Sequence, residues 1–147
     1  MIVRGYAEWS ALDDRWRALT ARILLTHSGG FANFGFLEPD KKLQFHFDPG
    51  TRYAYSGDGF ITLQFALETG LGIDVLAETD RLFSRFGMTS TSLMWRPAFA
   101  ANLADGWQAS GAPEPHDERS RPRAAGSMDT TIADFARFAA AFVRGDG

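Results

Sequence analysis

The chain has 147 residues, of which 45% are hydrophobic and 22% are charged, and its formal net charge is −3. These values are ordinary for one globular domain, and the interspersed charges exclude the clustered basic face that nucleic-acid binding requires. Cysteine is absent, which excludes disulfides, thiolate metal sites and cysteine nucleophiles.

Four helices are predicted from N-terminal caps, apolar periodicity and terminal glycines. In chain order they are expected at about residues 21–27, 58–68, 74–86 and 131–143. Thr20 and Asp74 are the predicted caps of the first and third helices. The predicted stops are all glycines: Gly29, Gly70, Gly87 and Gly145.

Strand signals are few. Leu43 to Phe47 alternates apolar and polar residues and predicts one short strand. Pro49-Gly50 predicts a turn, after which residues 51–55 are expected to be extended. Residues 109–127 show no periodicity, and this long segment either borders a site or is mobile. The pattern as a whole predicts a predominantly α protein with few short strands.

The chain shows neither a membrane span nor a signal peptide. No apolar run of about 18 residues occurs, so no transmembrane helix is predicted. The first residues lack the long apolar stretch of an export signal, which would have to lie upstream of them. The compartment is therefore left open.

The three histidines are too far apart in sequence to indicate a metal site. His27, His46 and His116 show no H-x-x-x-H or H-x-H spacing, so neither a metal nor another cofactor is predicted. His27 is interpreted as a residue at a helix C-terminus, where it suits the helix dipole. A Ser–His–Asp triad stays open, because such triads are defined by geometry, although a helix end also explains the neighbouring His27 and Ser28.

Four segments resemble, in order, the serine β-lactamase and D,D-peptidase superfamily, especially its class C-like lactamase and esterase branch. Each segment alone is a weak signal, whereas four in the right order are strong. Most of the match is scaffold, since turn and helix-end residues dominate it. The segments are LLTHSGG from Leu24, PGTRYAYSG from Pro49, FGMTSTS from Phe86 and AGSMDTTIADFARF from Ala125.

The resemblance implies one catalytic residue in this chain, Tyr55, at the position of the family's Y-x-N tyrosine. In the family this tyrosine lies beside a nucleophilic serine and helps to move its proton. A tyrosine serves as a general base only where neighbouring cations lower its pKa from about 10. The family supplies those cations from an S-x-x-K motif and a later K-T-G-like motif, and neither motif occurs in this chain.

The missing motifs predict that the chain is a truncated internal fragment. The resemblance implies the helical region of the α+β β-lactamase and transpeptidase-like fold, without most of the antiparallel sheet. We expect one partial domain over residues 1–147, inactive by itself, from a parent that hydrolyses a small acyl substrate through an acyl-serine. Two residues after Tyr55 the chain has Gly57, at a position where the family usually has an asparagine that binds the substrate's amide. This departure favours an ester over a β-lactam or peptide.

The alternative is a non-catalytic helical module that binds a partner or associates with itself. Thirteen phenylalanines and four tryptophans support it, because apolar helix faces would be exposed without the family's sheet. A packing role for Tyr55 is compatible with this second interpretation.

Overall fold

The computed structural model describes residues 13–146. Its α-helices are α1 (Ala21–Leu25), α2 (Gly57–Phe65), α3 (Val75–Arg85) and α4 (Ile132–Arg144). Three 3-10 segments lie at Asp14–Ala18, Gly35–Leu37 and Pro97–Asn102, and a π-helical turn at Ala66–Gly70 continues α2. A two-stranded antiparallel sheet pairs β1 (Gly106–Trp107) with β2 (Pro113–Glu114). The predicted fold class, mostly helical with few short strands, is confirmed.

The described chain divides into two compact units. The first comprises residues 13–74 together with 123–126, and the second comprises 75–122 together with 127–146. We call them unit one and unit two. The single domain over residues 1–147 that the sequence predicts stays a prediction.

Unit one has a small aromatic core. Leu24, Phe31 and Phe45 are buried together, and the two phenylalanine rings stack with their centroids 4.7 Å apart. The five-residue strand predicted at Leu43 to Phe47 is wrong in extent. Only an isolated bridge between Phe31 and Phe45 forms, because a strand needs a neighbouring ladder to extend along.

Helix α2 is held by polar contacts more than by an apolar stripe. It begins one residue before the predicted start, because the Ser56 side chain accepts a hydrogen bond from the Gly59 backbone amide at 2.9 Å and so acts as the cap. Its buried side chains include Asp58, Thr62 and Gln64. The Gln64 Oε1 atom accepts from the backbone amide of Ala124 at 2.8 Å, which ties residues 123–126 to this helix.

Unit two contains the two clearly periodic helices, and both predictions are confirmed. Helix α3 ends at Arg85, two residues before the left-handed Gly87, whose φ is 65°. Helix α4 is capped by Thr131, whose hydroxyl accepts from the Asp134 amide at 3.2 Å, and it ends at the left-handed Gly145. The buried core comprises Phe83, Met88 and Leu93, with Phe138 of α4 packed against it.

The long segment at residues 109–127 is partly structured. It contains β2, and the Trp95 backbone amide donates to the carbonyl oxygen of Arg119 at 3.2 Å. His116 lies against the Trp95 ring with centroids 4.7 Å apart, and the Arg119 guanidinium donates to Asp129 Oδ1 at 2.8 Å. A border role for this segment beside a site stays a prediction.

Among the described helices, none is individually long and apolar enough to cross a membrane. The stretches Gly57–Gly70 and Val75–Arg85 meet the length and composition limits only when they are taken together as a bent pair.

Candidate functional site

Tyr55 lies in the extended connection between a tight turn and the start of α2. The turn is fixed at Gly50, which has a φ of 84° and whose amide donates to the Ser28 carbonyl oxygen at 2.8 Å. The Tyr55 side chain is 61% exposed. The predicted turn at Pro49-Gly50 therefore delivers an accessible phenol to the surface of unit one.

His27 contacts three consecutive residues around this tyrosine. Its carbonyl oxygen accepts from the Ala54 backbone amide at 2.8 Å, and its Nδ1 atom accepts from the Ser56 backbone amide at 3.1 Å. Between these two bonds its ring lies over the Tyr55 ring, with centroids 4.4 Å apart and an interplanar angle of 33°. On other sides the imidazole contacts Tyr53 at 5.8 Å and Phe60 at 5.0 Å between ring centroids.

The end of α1 places His27 at this position. The Ser28 amide donates to the Ile23 carbonyl at 2.9 Å and the His27 amide donates to the Leu24 carbonyl at 3.1 Å, the two bonds of a Schellman motif. The residue between the helix and Ser28 must then be left-handed, and His27 has a φ of 53°. The predicted location of His27 at a helix C-terminus is correct, but its contacts with residues 54–56 are an addition that the sequence did not reveal.

Gly57, two residues beyond Tyr55, is buried beneath Phe34. A Cβ atom at residue 57 would lie 2.4 Å from both Cε1 and Cζ of the Phe34 ring. The Gly57 amide donates to Asn33 Oδ1 at 3.0 Å. The space that a side chain at residue 57 would need is thus occupied by an aromatic ring, which itself stacks on Phe36 with centroids 5.1 Å apart.

Asp58 connects the same loop to the first turn of α2. Its side chain is 1% exposed, and its Oδ2 atom accepts from the Gly35 backbone amide at 2.6 Å. Its own amide donates to the Asn33 carbonyl oxygen at 2.9 Å. Residues 33–35 are therefore fixed against the N-terminus of the helix that follows Tyr55.

Ser56 and Ser28 directly follow Tyr55 and His27 in sequence, and the hydroxyls of both serines form structural hydrogen bonds. Ser56 Oγ donates to the Ala32 carbonyl at 2.7 Å while it caps α2. Ser28 Oγ lies 3.1 Å from the Ile23 carbonyl oxygen and 2.9 Å from Thr26 Oγ1. Because His27 Nδ1 accepts from a backbone amide, neither serine forms a nucleophile–base pair through that nitrogen.

The cation nearest to Tyr55 in sequence is directed elsewhere. The Arg52 guanidinium lies over the Phe47 ring, 4.3 Å from its centroid. Within residues 13–146 there is also no group of three or more His, Asp or Glu side chains that could hold a metal ion. The site therefore consists of an exposed phenol, a neighbouring imidazole and an aromatic wall beside Gly57.

Two of these residues were missed as parts of the site by sequence reasoning. His27 carried one usable signal, since it occupies a helix-end position where Gly or Asn is usual. Phe34 carried none, because only the folded chain brings its ring over Gly57. Both predicted site residues, Tyr55 and Gly57, lie on the same short segment.

Several solved structures share the fold. A D-alanine carboxypeptidase from Burkholderia cenocepacia is 27% identical, with a TM-score of 0.69 over 86% of this chain and 37% of its own. A D-amino acid amidase from Ochrobactrum anthropi is 22% identical, with a TM-score of 0.67 over 94% of this chain and 48% of its own. A human beta-lactamase-like protein is 34% identical over 100 residues, which are 67% of this chain and 20% of that protein.

The chain thus spans a fifth of the human relative and less than half of either solved structure. The Beta-lactamase family model matches residues 3–147, and the helical region of the fold agrees with the class C enzymes and carboxypeptidases that the structure resembles. The four ordered segments and the Tyr55 turn lie inside this match. The chain belongs to the beta-lactamase family.

Proposed function

We propose that this chain supplies the tyrosine-bearing helical region of a serine acyl hydrolase. In this mechanism a serine outside these residues attacks the carbonyl carbon of the substrate, and the Tyr55 oxygen accepts the hydroxyl proton. The bond between the carbonyl carbon and the leaving group then breaks, the same proton passes to the leaving group, and the acyl–serine remains. Water then hydrolyses the acyl-enzyme, with Tyr55 accepting a proton from the water and returning it to the serine.

One observation supports the assignment above others: Tyr55 combines exposure with fixation. A proton relay must reach the substrate and must also be held in place. The phenol is 61% exposed, while hydrogen bonds from Ala54 and Ser56 to His27 hold the backbone on both sides of it. Exposure alone does not single out Tyr55, since Tyr53 is 69% exposed; what distinguishes Tyr55 is that the amides on both sides of it bond to His27.

We further propose that residues 1–147 alone have negligible turnover. The chain contains no S-x-x-K motif and no K-T-G motif, and the serines next to Tyr55 and His27 carry structural hydrogen bonds. Incubation with nitrocefin and with p-nitrophenyl acetate is expected to give no burst. A burst that disappears on replacement of one of the chain's own serines would contradict the proposal.

A chimera tests the role of Tyr55 directly. The matching part of the Burkholderia cenocepacia carboxypeptidase would be replaced by residues 13–146, which restores a nucleophile and a closing strand around this chain. Tyr55→Phe is expected to lower kcat about 100-fold or more, the usual contribution of a general base. Tyr53→Phe is the matched control, because it removes a neighbouring hydroxyl from the same segment. Equal kcat values for the two variants would contradict the proposed proton relay through Tyr55.

We propose that the substrate is an ester or another acyl donor lacking the amide that the family's asparagine binds. The reason is Gly57, whose place for a side chain is filled by the Phe34 ring. In the chimera, p-nitrophenyl acetate is expected to be preferred over nitrocefin. The double variant Phe34→Ala with Gly57→Asn should shift kcat/KM toward nitrocefin, and an unchanged ratio would contradict this substrate class.

Self-association is the second candidate function, and it depends on the outer face of α4. Ile132, Phe142 and Val143 are 86%, 78% and 84% exposed, and such apolar patches usually mark a contact surface. Phe142→Lys is expected to abolish a dimer in sedimentation velocity experiments. Leu71→Lys, at an apolar residue that is 71% exposed in unit one, is the control. A monodisperse wild-type monomer at high concentration would exclude this candidate.

A further inference from the structure

His27 contacts each of the three residues 54–56, with Tyr55 in the middle. Its backbone carbonyl holds the Ala54 amide at 2.8 Å, its ring stacks on Tyr55, and its Nδ1 holds the Ser56 amide at 3.1 Å. The first contact uses the main chain and is open to any residue at this position. The stacking contact requires an aromatic ring, and the hydrogen bond from Ser56 requires an acceptor atom bonded to Cγ.

The backbone conformation of His27 makes histidine an unfavourable choice on local grounds. A left-handed residue with a Cβ atom costs about 1–2 kcal/mol relative to the right-handed region, and glycine avoids that cost. Among the described residues only His27 and Lys41 are non-glycine residues with positive φ, at 53° and 55°. The bond from the Ser56 amide to Nδ1 and the stacking on Tyr55 are contacts through which the His27 side chain offsets part of this strain.

We infer that His27 is the positioning residue for Tyr55. Its acceptor nitrogen fixes the main chain after Tyr55, and its ring fixes the orientation of the phenol. The inference rests on the proposed role of Tyr55 for its functional meaning, but the clamp itself is a property of this chain and is measurable without catalysis. We call the two side-chain contacts, from Nδ1 to Ser56 and from ring to ring, the His27 clamp.

The clamp specifies one tautomer of the imidazole. An amide can donate only to a nitrogen with a free lone pair, so Nδ1 is unprotonated and Nε2 carries the hydrogen. This assignment follows from the heavy-atom geometry of the Ser56 amide and Nδ1. It gives the clamp a spectroscopic signature in the nitrogen chemical shifts of the ring.

Three substitutions separate the parts of the clamp. His27→Asn keeps an acceptor, since Asn Oδ1 occupies the position of Nδ1, and asparagine tolerates the left-handed region, but it loses the ring. His27→Phe keeps a ring and loses the acceptor. His27→Gly loses both and relieves the backbone strain. Lys41→Gly is the matched control, because it relieves the same strain at the other non-glycine residue with positive φ among the described residues.

Two NMR measurements on the full 147-residue chain read the two contacts independently. Hydrogen exchange of the Ser56 amide is expected to quicken about fivefold to tenfold in the Gly and Phe variants, the loss of one hydrogen bond, and to stay near wild type in the Asn variant. The ring proton shifts of Tyr55 should change in the Gly and Asn variants and stay near wild type in the Phe variant.

The control and the contradicting results follow from the same geometry. Lys41→Gly is expected to alter neither signal, and the wild-type imidazole should show the tautomer protonated at Nε2. Wild-type exchange and wild-type Tyr55 shifts in His27→Gly would overturn the inference, as would rapid Ser56 exchange in His27→Asn. Should the Phe variant fail to fold, the Gly and Asn variants still decide. Loss of the relay in the chimera would leave these results intact, so the two failures are distinguishable.

Discussion

Both compact units use a buried aspartate in the first turn of a helix to hold a distant loop, but they differ in what surrounds it. In unit one, Asp58 binds the Gly35 amide at 2.6 Å, and α2 buries Thr62 and Gln64 as well. In unit two, Asp134 binds the Ser90 amide at 2.7 Å, and α4 is an amphipathic helix. The start of the helix that follows Tyr55 thus depends on specific polar contacts, whereas α4 combines its polar anchor with an apolar stripe that packs Phe138 against the core.

This difference predicts which parts of the chain tolerate amino-acid substitution. A polar framework requires each donor and acceptor to keep its place, since a buried unpaired group costs about 1–3 kcal/mol. An amphipathic helix tolerates apolar exchanges of similar volume with smaller losses. We therefore expect the most sensitive backbone positions to cluster around the Tyr55 segment.

Gly30→Ala is the strongest expected perturbation of unit one. Gly30 has a φ of 91°, and a Cβ atom there would lie 2.4 Å from the backbone oxygen of Phe47. Left-handed strain and the clash with main chain together should cost about 3–4 kcal/mol of unfolding free energy, measured by urea denaturation.

The control for Gly30→Ala separates strain from clash. Gly72 has a φ of 67°, and no atom lies within 4 Å of the place that an added methyl group would take. Gly72→Ala is therefore expected to cost only about 1 kcal/mol. Equal losses in the two variants would show that close packing around Gly30 is not what makes the Tyr55 region sensitive.

Asp134→Ala should be the most damaging change to the polar anchor of unit two. The Asp134 carboxylate accepts from Ser90, from the Thr91 hydroxyl at 2.9 Å and from Arg137 at 2.5 Å. Because the Arg137 side chain is 53% exposed, its ion pair adds little, and the loss should be about 2–3 kcal/mol from the buried donors.

Asp134→Asn is the matched variant, because it keeps the volume and one acceptor oxygen. Its loss of unfolding free energy should be no more than half of the loss in Asp134→Ala, as judged by chemical denaturation. A loss within experimental error for Asp134→Ala would break the parallel between the two aspartates.

Gly57→Ala is expected to have the smallest effect of the three, and the effect should depend on Phe34. The added methyl group meets the outer end of the Phe34 ring, which can rotate, so the cost should be about 1 kcal/mol. In a Phe34→Ala background the same change should become close to neutral, since the ring that the methyl group meets has been removed.

The double-mutant cycle for Gly57 and Phe34 is read from urea midpoints of the four proteins. A coupling of about 1 kcal/mol is expected for residues in direct contact. Additive effects would mean that Phe34 does not restrict residue 57, and the proposed substrate preference would lose its physical basis.

Sequence reasoning predicted the helices well where caps and periodicity coincide. Thr131 and Gly145 bound α4 as expected, and Gly87 lies two residues beyond the end of α3. Periodicity did not reveal which α4 residues are covered: Phe138 packs against the core of unit two, while Ile132 and Phe142 of the same apolar stripe are exposed. An apolar stripe shows that a helix has an apolar side, but which residues of that side are buried depends on the elements that pack against the helix.

The candidate site was only partly predictable for a related reason. Tyr55 and Gly57 could be located because they lie on one short motif. The contacts with His27 and Phe34 join residues 23 or more positions apart, through a hydrogen bond to a backbone amide and through ring packing. Neither leaves a periodic trace. The strand expected at residues 43–47 was overestimated because only Phe45 forms a bridge, to Phe31, and no neighbouring residue extends it into a ladder.

The complete hydrogen bonding of Ser56 has a practical consequence for activity-based probes. Its hydroxyl gives its proton to Ala32 and takes one from Gly59, so an electrophile reaches the oxygen only when the start of α2 opens. Because no base accepts the Ser56 proton, an activity-based probe should leave Ser56 unlabelled both in the folded chain and in denaturant.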